Sequence, residues 1–300
     1  MNTLITGGCG FIGNHLVRRL LADGHHVLVI DDFSEGSPEN LPSHDHLRIY
    51  CRSVLDRTID LFTGIDIVYH LAALPRPQKS IIDPIPSHEV NVTGTLNVLL
   101  NCKSWGIRRL VFASSGSVYG EQGADPCLES AVLHPMSPYG LQKIIGEQYC
   151  KLFTDIYGVQ ANCLRFFNVY GGGMNPNGEY ASLIPKFIRL IRHGELPTIY
   201  GTGKQRRDFV HVSDVVEAMI LAAQSPIYGE IINIGSGINY SINEIFDIIC
   251  EKLGMNIKPL YGPAVIEPTA TLANREKAYQ LLGWKPSISI EEGIGRMVHA

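Results

Sequence analysis

The sequence predicts an α/β protein: a doubly wound parallel sheet covered by helices on both faces, with a smaller α/β body interleaved toward the C-terminus. Three observations predict it. A strand, a glycine turn, a helix and a second strand closed by an acid open the chain. Strand-like and helix-like segments then alternate through about the first two thirds. After Asn168 the composition changes to turn-rich stretches and shorter elements.

The first unit is the most informative. Asn2-Thr3-Leu4-Ile5-Thr6 is short and rich in β-formers. Thr6-Gly7-Gly8-Cys9-Gly10-Phe11-Ile12-Gly13 follows, with Gly7, Gly10 and Gly13 spaced Gly-x-x-Gly-x-x-Gly. Leu16, Val17, Leu20 and Leu21 share one helical face, and Gly24 stops that helix. His26 to Ile30 is a second apolar strand, closed by Asp31-Asp32. This is a Rossmann-type arrangement, in which bare backbone N–H groups and a helix N-terminus meet a pyrophosphate. Asp31 is placed to accept hydrogen bonds from the adenosine ribose hydroxyls and to repel a 2′-phosphate. The expected ligand is NAD rather than NADP. A glycine motif alone is weak evidence, and a strand-end acid is often merely solvated. Here strand, helix and acid all stand where the mechanism needs them.

Ile65 to His70 and Arg109 to Ala113 read as buried strands, as does Ala161 to Phe167. Val90 to Cys102 reads as a helix with Val90, Leu96, Val98 and Leu99 inward, and Leu141 to Phe153 as another. Beyond Asn168, helices are expected at Leu183 to Arg192 and Val215 to Ala223. Strand patterns return at Phe209 to Val212 and Ile231 to Ile234. The expected division is a dinucleotide domain of residues 1–168 plus about 209–236. Residues 169–208 and 237–300 form the smaller, substrate-binding body. A ligand belongs in the crevice at the carboxyl ends of the strands.

Composition narrows the class. A 300-residue chain with 45% hydrophobic and 18% charged residues suits a globular enzyme. A net charge of −4 gives no bias toward nucleic acid or anionic membranes. No apolar run approaches the ~20 residues that span a bilayer, and no basic-then-apolar leader precedes the first strand. Seven scattered cysteines without a Cys-x-x-Cys pair read as reduced thiols of a cytoplasmic protein, neither a disulfide frame nor a zinc site. His44-Asp45-His46 lies in a polar loop with no third ligand nearby, so no metal is expected.

Two further constellations carry chemistry. Tyr139 and Lys143 lie four apart, on one face of a helix. A phenol is a poor base near neutrality, and a neighbouring ammonium favours the phenolate, so the pair is a candidate acid/base device. Phe112-Ala113-Ser114-Ser115-Gly116-Ser117-Val118-Tyr119-Gly120 follows a buried strand, which brings its hydroxyls to the strand's carboxyl end. Ser115 or Ser117 is then placed to bond a substrate oxygen. The plainer alternative is a serine-rich loop satisfying its own backbone.

Together these residues resemble the extended short-chain dehydrogenase/reductase family, specifically its nucleotide-sugar epimerases and dehydratases. The resemblance runs along nearly the whole chain. It is carried by Thr6 to Gly13, His70-Leu71-Ala72-Ala73, Asn91-Val92-Thr93-Gly94-Thr95, Phe112 to Gly120, and Ser137-Pro138-Tyr139-Gly140 with Lys143. Arg165-Phe166-Phe167-Asn168-Val169-Tyr170-Gly171 and Arg207-Asp208-Phe209-Val210-His211-Val212 complete it. The resemblance implies that Tyr139 is the catalytic base and Lys143 its partner at the nicotinamide ribose. Ser115 would bond the reacting sugar oxygen, and Ser117 would line the sugar pocket. NAD would be held by Gly7, Gly10, Phe11, Ile12, Gly13, Asp31 and Asp32, by Leu71, Ala72, Ala73 and Asn91, and by Ser114, Phe166, Tyr139 and Lys143. Asn168 and Arg207 would take the diphosphate of the nucleotide sugar, and Leu183, Thr198 and Tyr200 the nucleoside base. Such an enzyme oxidises C4 of the sugar with bound NAD and returns hydride to the other face. Homodimers through a helix pair are usual, which points to Val90–Cys102 and Leu141–Phe153.

Some positions depart from the family pattern. Dehydratases carry aspartate at the position of Gly116, and both they and decarboxylating relatives carry glutamate at that of Ser117; Gly116 and Ser117 point to epimerisation instead. Ala264-Val265-Ile266-Glu267 replaces the usual Arg-x-Gly-Asp, so an arginine is missing and Glu267 stands in for the acid. Ser53 replaces a common adenine-facing aspartate. Thr271 falls where a residue gates the far side of the sugar pocket, and its small size admits an N-acetyl group at C2. Asn175-Pro176-Asn177-Gly178 with Tyr180 and Ile184-Pro185-Lys186 also resembles the N-acetylhexosamine branch. The expectation is an NAD-dependent 4-epimerase of a UDP-hexose, UDP-GlcNAc/UDP-GalNAc or UDP-Glc/UDP-Gal, with a UDP-uronic acid possible. The rivals are a dehydratase, decarboxylase or keto-sugar reductase on the same scaffold, and a non-catalytic dinucleotide sensor.

Overall fold

The computed structural model describes residues 1–57, 60–175, 182–265 and 267–299. The chain runs through β1 (Asn2–Thr6), α1 (Phe11–Ala22), β2 (His26–Asp31), β3 (Leu47–Cys51) and β4 (Ile67–His70). Short helices α2 (Pro77–Ile82) and α3 (Pro84–His88) lead through a π-helical turn at Glu89–Gly94 into α4 (Thr95–Ser104). Then come β5 (Arg109–Ser115), α5 (Pro138–Tyr157), β6 (Gln160–Phe166), β7 (Val169–Tyr170), α6 (Leu183–Arg192), β8 (Thr198–Tyr200), β9 (Arg206–Asp208) and β10 (Val210–His211). The remainder is α7 (Val212–Gln224), β11 (Ile231–Ile234), β12 (Asn239–Ser241), α8 (Ile242–Leu253), β13 (Leu260–Gly262), α9 (Glu276–Leu282) and α10 (Ile290–His299).

Seven strands form one parallel sheet in the order β3-β2-β1-β4-β5-β6-β11. The order reverses between β1 and β4, so their outgoing chains diverge to opposite faces and leave a crevice at the carboxyl edge. The central strands are buried on both faces, hence their near-continuous apolar runs. Ile5, Val29, Tyr69, Val111 and Leu164 pack under α1 and α7, while Leu4, Val68, Leu110, Phe112 and Cys163 pack under α4 and α5. β3 was not expected. It is the edge strand, and only Leu47 of its five residues is buried, so its apolar signal is thin.

A separate core gathers Tyr170, α6, β8, α8 and α10, through Phe187, Ile199, Phe246 and Ile294 among others. Three two-stranded pairings, β7–β10, β8–β13 and β9–β12, stitch this region together. Ala278 and Trp284, late in the chain, pack into the core of the large sheet.

α5 carries the Tyr139/Lys143 pair and is longer than the apolar run Leu141 to Phe153 suggests. The Ser137 side chain caps its start by accepting the N–H of Gly140, with Pro138 in the first turn, and left-handed Gly158 ends it. His70 anchors the end of β4. Its Nδ1 lies 2.7 Å from Thr6 Oγ1 and its Nε2 2.9 Å from Thr95 Oγ1. Thr95 gives its own proton to Asn91 O, so His70 Nε2–H donates to Thr95, and Nδ1 accepts from Thr6. Burial drives the His70 pKa down to about 3, which agrees with this neutral tautomer.

Candidate active site

A cleft of about 1260 Å³ opens along the carboxyl edge of the sheet and continues toward the smaller core. The glycine turn forms one end. Gly7 has φ +73°, and a Cβ there would lie 2.7 Å from the backbone N of Ala72. A Cβ on Gly13 would lie 2.3 Å from Gly7 O. Only bare backbone lets α1 begin this close to β1 and the β4 exit. Gly10 is the N-cap of α1; no side chain among the described residues caps the helix, and its first turn holds no acid. The N–H end of α1 is therefore available to an anion. Phe11, Ile12, Leu71, Ala73 and Phe166 line the same end.

Asp31 closes β2 at the cleft wall. Its carboxylate accepts the N–H groups of Cys9 and Phe33, both at 2.9 Å. Burial raises its pKa, while these two bonds pull the other way. The second bond spans the turn in which Phe33 is left-handed, at φ 61°. Asp32 beside it accepts the N–H and hydroxyl of Ser34. These residues fit NAD: an open helix N-terminus for a pyrophosphate, and two acids at the β2 end where a 2′-phosphate would be repelled. The sequence reading missed the loop at Phe33–Gly36, where a Cβ on Gly36 would lie 2.6 Å from Cys9 backbone. It also missed the ion pair of Arg76 with Glu35, 3.2 Å across the cleft mouth. No local sequence signal marks either.

The reactive hydroxyls converge at the middle of the cleft. Tyr139, Lys143, Ser115 and Ser117 all line it. Ser115 Oγ donates to Ser117 Oγ at 3.0 Å and accepts the N–H of Ser117 at 3.1 Å. Burial pushes the Tyr139 phenol up to about 12, against the smaller opposing effect of a hydrogen bond with Ser115. Burial also pushes Lys143 down to about 8. Burial, not the ammonium expected from the spacing, sets the direction for the phenol. Lys143 Nζ sits 5.8 Å from the Tyr139 ring centre and donates instead to Ala113 O at 2.8 Å.

At the far end stand Asn168, Arg207, Glu267, Thr271 and Leu183. Arg207 Nη1 donates to Arg206 O, and Nη2 lies 2.7 Å from Glu267 Oε2. That contact is close but off the hydrogen-bond angle, so the buried Nη2 has a charge partner without a directed acceptor. Asn168 Nδ2 donates to Asp208 O at 2.8 Å and lies 3.5 Å from Thr271 Oγ1.

Three expected residues are not on the cleft wall. Asn91 lies in the π-helical turn, where it accepts the N–H of Leu74 and donates to Leu74 O and Gln142 Oε1. Thr198 and Tyr200 lie on β8, beside β13 rather than in the cleft. Ser114 reaches the wall, but its hydroxyl is committed to Glu147 Oε1 at 2.5 Å. The Ser53 hydroxyl accepts the N–H of Leu55. Pro176 to Gly178, Tyr180 and Ile266 lie outside the described residues. Among the described residues no group of three or more His, Cys, Asp or Glu side chains could hold a metal, and no helix is long and apolar enough to cross a membrane.

Comparison with known proteins agrees with this geometry. Residues 3–235 match the model of the NAD dependent epimerase/dehydratase family. A putative UDP-glucose 4-epimerase of Methanocaldococcus jannaschii is 39% identical over 300 residues, 99% of this chain and 97% of that protein. The structure of a UDP-glucose 4-epimerase from Thermotoga maritima with UDP-glucose superposes with a TM-score of 0.96 at 35% identity, covering 100% of this chain and 98% of the other. A UDP-N-acetylglucosamine 4-epimerase from Methanobrevibacter ruminantium, in complex with UDP-N-acetylmuramic acid, gives 0.95 at 36% identity, covering 99% and 97%.

Proposed function

The chain belongs to the NAD dependent epimerase/dehydratase family, and from that premise we propose that it is an NAD-dependent nucleotide-sugar 4-epimerase acting on a UDP-hexose. The observation that carries the reading is the meeting of Tyr139, Lys143 and Ser115 in one cleft, between the glycine turn and Arg207. When bound, NAD supplies a positively charged ring that takes hydride from the sugar carbon and returns it. Gly7, Gly10, Gly13, the start of α1 and Asp31 would hold it, with the other NAD contacts named above that line the cleft. The chain's own residues handle the proton. Tyr139 removes it from the C4 hydroxyl and gives it back, and Ser115 aligns that oxygen. Lys143, on the same helix face, would hold the nicotinamide ribose and favour the phenolate as the proton moves.

Gly116 and Ser117 support epimerisation over dehydration. A Cβ at Gly116 would press on the Phe167 ring at 3.3 Å, so the acid used by dehydratases fits poorly there. Ser117 brings a hydroxyl without a carboxyl proton to give. Arg207 with Asn168 would take the diphosphate, and Arg207 Nη2 is a buried donor without a directed acceptor. Leu183 is proposed at the nucleoside base, Ser117 and Thr271 at the sugar, and Glu267 at the nucleotide, all on the cleft wall. UDP-GlcNAc/UDP-GalNAc and UDP-Glc/UDP-Gal are the candidate pairs.

A cytoplasmic homodimer completes the proposal. All seven cysteines are unpaired, and Leu100 of α4 with Leu141, Leu152 and Ile156 of α5 leave apolar surface exposed. The test is incubation of the purified protein with a panel of UDP-sugars, products identified by NMR. C4-inverted product without net absorbance change at 340 nm supports epimerisation. Net NAD(P) turnover supports a reductase, and no conversion of any sugar defeats the substrate assignment.

A further inference from the structure

Behind the cleft, reaching its wall only at Ser114, lies a set of buried polar groups to which no step of the reaction is assigned. Glu147 is fully buried and pairs with Arg165 in a fork: Arg165 Nε donates to Glu147 Oε1 and Nη2 to Oε2, each at 2.8 Å. Ser114 Oγ donates to the same carboxylate. Arg165 Nη1 donates to Tyr119 OH at 2.8 Å, and Tyr119 OH donates to Asn233 Oδ1 at 2.7 Å. The Asn233 amide is held in turn by Cys127 O.

Spacing connects this set to the site. Tyr139, Lys143 and Glu147 recur every four residues, on one face of α5. They face three consecutive residues of β5: Tyr139 lies beside Ser115 in the cleft, Lys143 donates to Ala113 O, and Glu147 accepts from Ser114. Gly146 lets the helix lie this close, since a Cβ there would fall 2.5 Å from the Phe112 ring. Resting on the epimerase reading for its consequence in turnover, we propose that Glu147, pinned by Arg165, is a positioning residue: it locks α5 to β5 in register and supplies the buried negative charge that keeps Lys143 an ammonium.

The charge count around Lys143 supports this. On α5 it is flanked by Tyr139, Glu147 and Cys150; β6 brings Cys163 and Arg165; β4 brings His70. A hydrogen bond with Cys150, then burial, raises Cys163, and His70 is neutral, so neither offsets a cation near neutrality. Glu129 contributes only from beyond Arg165, beside Tyr119. Glu147 is the one carboxylate in this inner set, held in its fork with Arg165. Without it, Lys143 and Arg165 are two buried cations sharing one apolar wall. Burial already lowers Lys143; Cys150, then the charge of Glu147, oppose it.

The test titrates Lys143 directly by ¹⁵N NMR of its Nζ, assigned by loss of the signal in Lys143→Met. It needs neither NAD nor sugar. In Glu147→Gln the midpoint should fall by at least one pH unit, with thermal unfolding confirming a folded protein. If Glu147→Gln does not fold, Glu147→Gln/Arg165→Gln, which leaves no lone buried charge at this pair, should shift the midpoint in the same direction. Turnover of the accepted UDP-sugar should lose its alkaline limb at correspondingly lower pH, at least tenfold less active there. A folded variant with an unmoved Lys143 midpoint overturns the proposal, even if its turnover is lower. Absence of turnover in the unaltered protein defeats the epimerase reading alone and leaves the titration to decide this one.

Discussion

Gly13→Ala tests the construction of the cofactor end most directly. The new methyl would sit 2.3 Å from Gly7 O, 2.6 Å from Gly8 Cα and 2.9 Å from Gly8 C. All three are backbone atoms, so no side chain can swing away. The 2.3 Å contact is 0.7 Å inside the 3.0 Å limit that real Cβ atoms keep. Nor can Gly7 retreat, because its own Cα face is set against Ala72. The turn must deform, and the weak bond from Gly10 N–H to Gly7 O at 3.3 Å yields first. Overpacking of this kind costs about 1–3 kcal/mol. At about 2.1 cal/mol/K of unfolding entropy per residue, a cost of roughly 2 kcal/mol lowers Tm by about 3 °C in a chain this long. The functional loss should exceed the structural one, since the displaced N–H groups are those offered to the pyrophosphate. NAD affinity should fall at least tenfold, about 1.4 kcal/mol. The assay is thermal unfolding with and without NAD, the ligand-dependent shift giving the loss through linkage. Gly295→Ala on α10, where a Cβ meets open space, is the control and should be neutral or slightly stabilising. An NAD-dependent shift of unaltered size in Gly13→Ala would refute the cradle.

Three other outcomes are expected. Tyr139→Phe keeps the ring and removes the proton-carrying oxygen, so turnover should drop by about a hundredfold or more with NAD still bound; near-normal turnover removes Tyr139 from the mechanism. His70 is held neutral with its pKa depressed to about 3. The unfolded chain therefore takes up the proton first as pH falls below about 6.5, and stability is lost between there and about 3. Urea unfolding should show a loss on the order of 2 kcal/mol from this residue by pH ~4.5, and a slope unchanged in His70→Asn refutes the assignment. Thr271→Tyr places a ring beside Asn168, and the ratio of kcat/KM for UDP-GlcNAc to that for UDP-Glc should fall at least about tenfold; equal slowing of both sugars means Thr271 is not the gate.

What the sequence made legible is what local chemistry determines. The β1 turn needs glycine at 7 and 13 because backbone atoms stand where side chains would be. The buried strands need continuous apolar runs, and a helix face repeats every four residues, which is how Tyr139 and Lys143 could be joined. β3 was hidden because an edge strand has little to bury. Asn91 looked like a ligand contact by motif. Its amide instead ties the loop after β4 to α5, and no local pattern separates these two uses of a buried asparagine.

The unread part is tertiary electrostatics. Tyr139 and Lys143 announced an acid and a base, but spacing cannot say how deeply they are buried, and burial reverses the expected direction for the phenol. Glu147 and Arg165 are 18 residues apart, and Arg207 and Glu267 are 60 apart. Each pair exists only because different elements deliver its members to one point. The two pairs behave differently for a physical reason. Glu147 and Arg165 have no water to replace their contact, so their fork is fixed, and removing one partner strands a buried charge. Glu267 is about a third exposed, so water can take up its carboxylate at modest cost and leave Arg207 free for another anion. A fixed pair suits the alignment of a helix. A releasable one suits the proposed exchange of an internal carboxylate for a diphosphate.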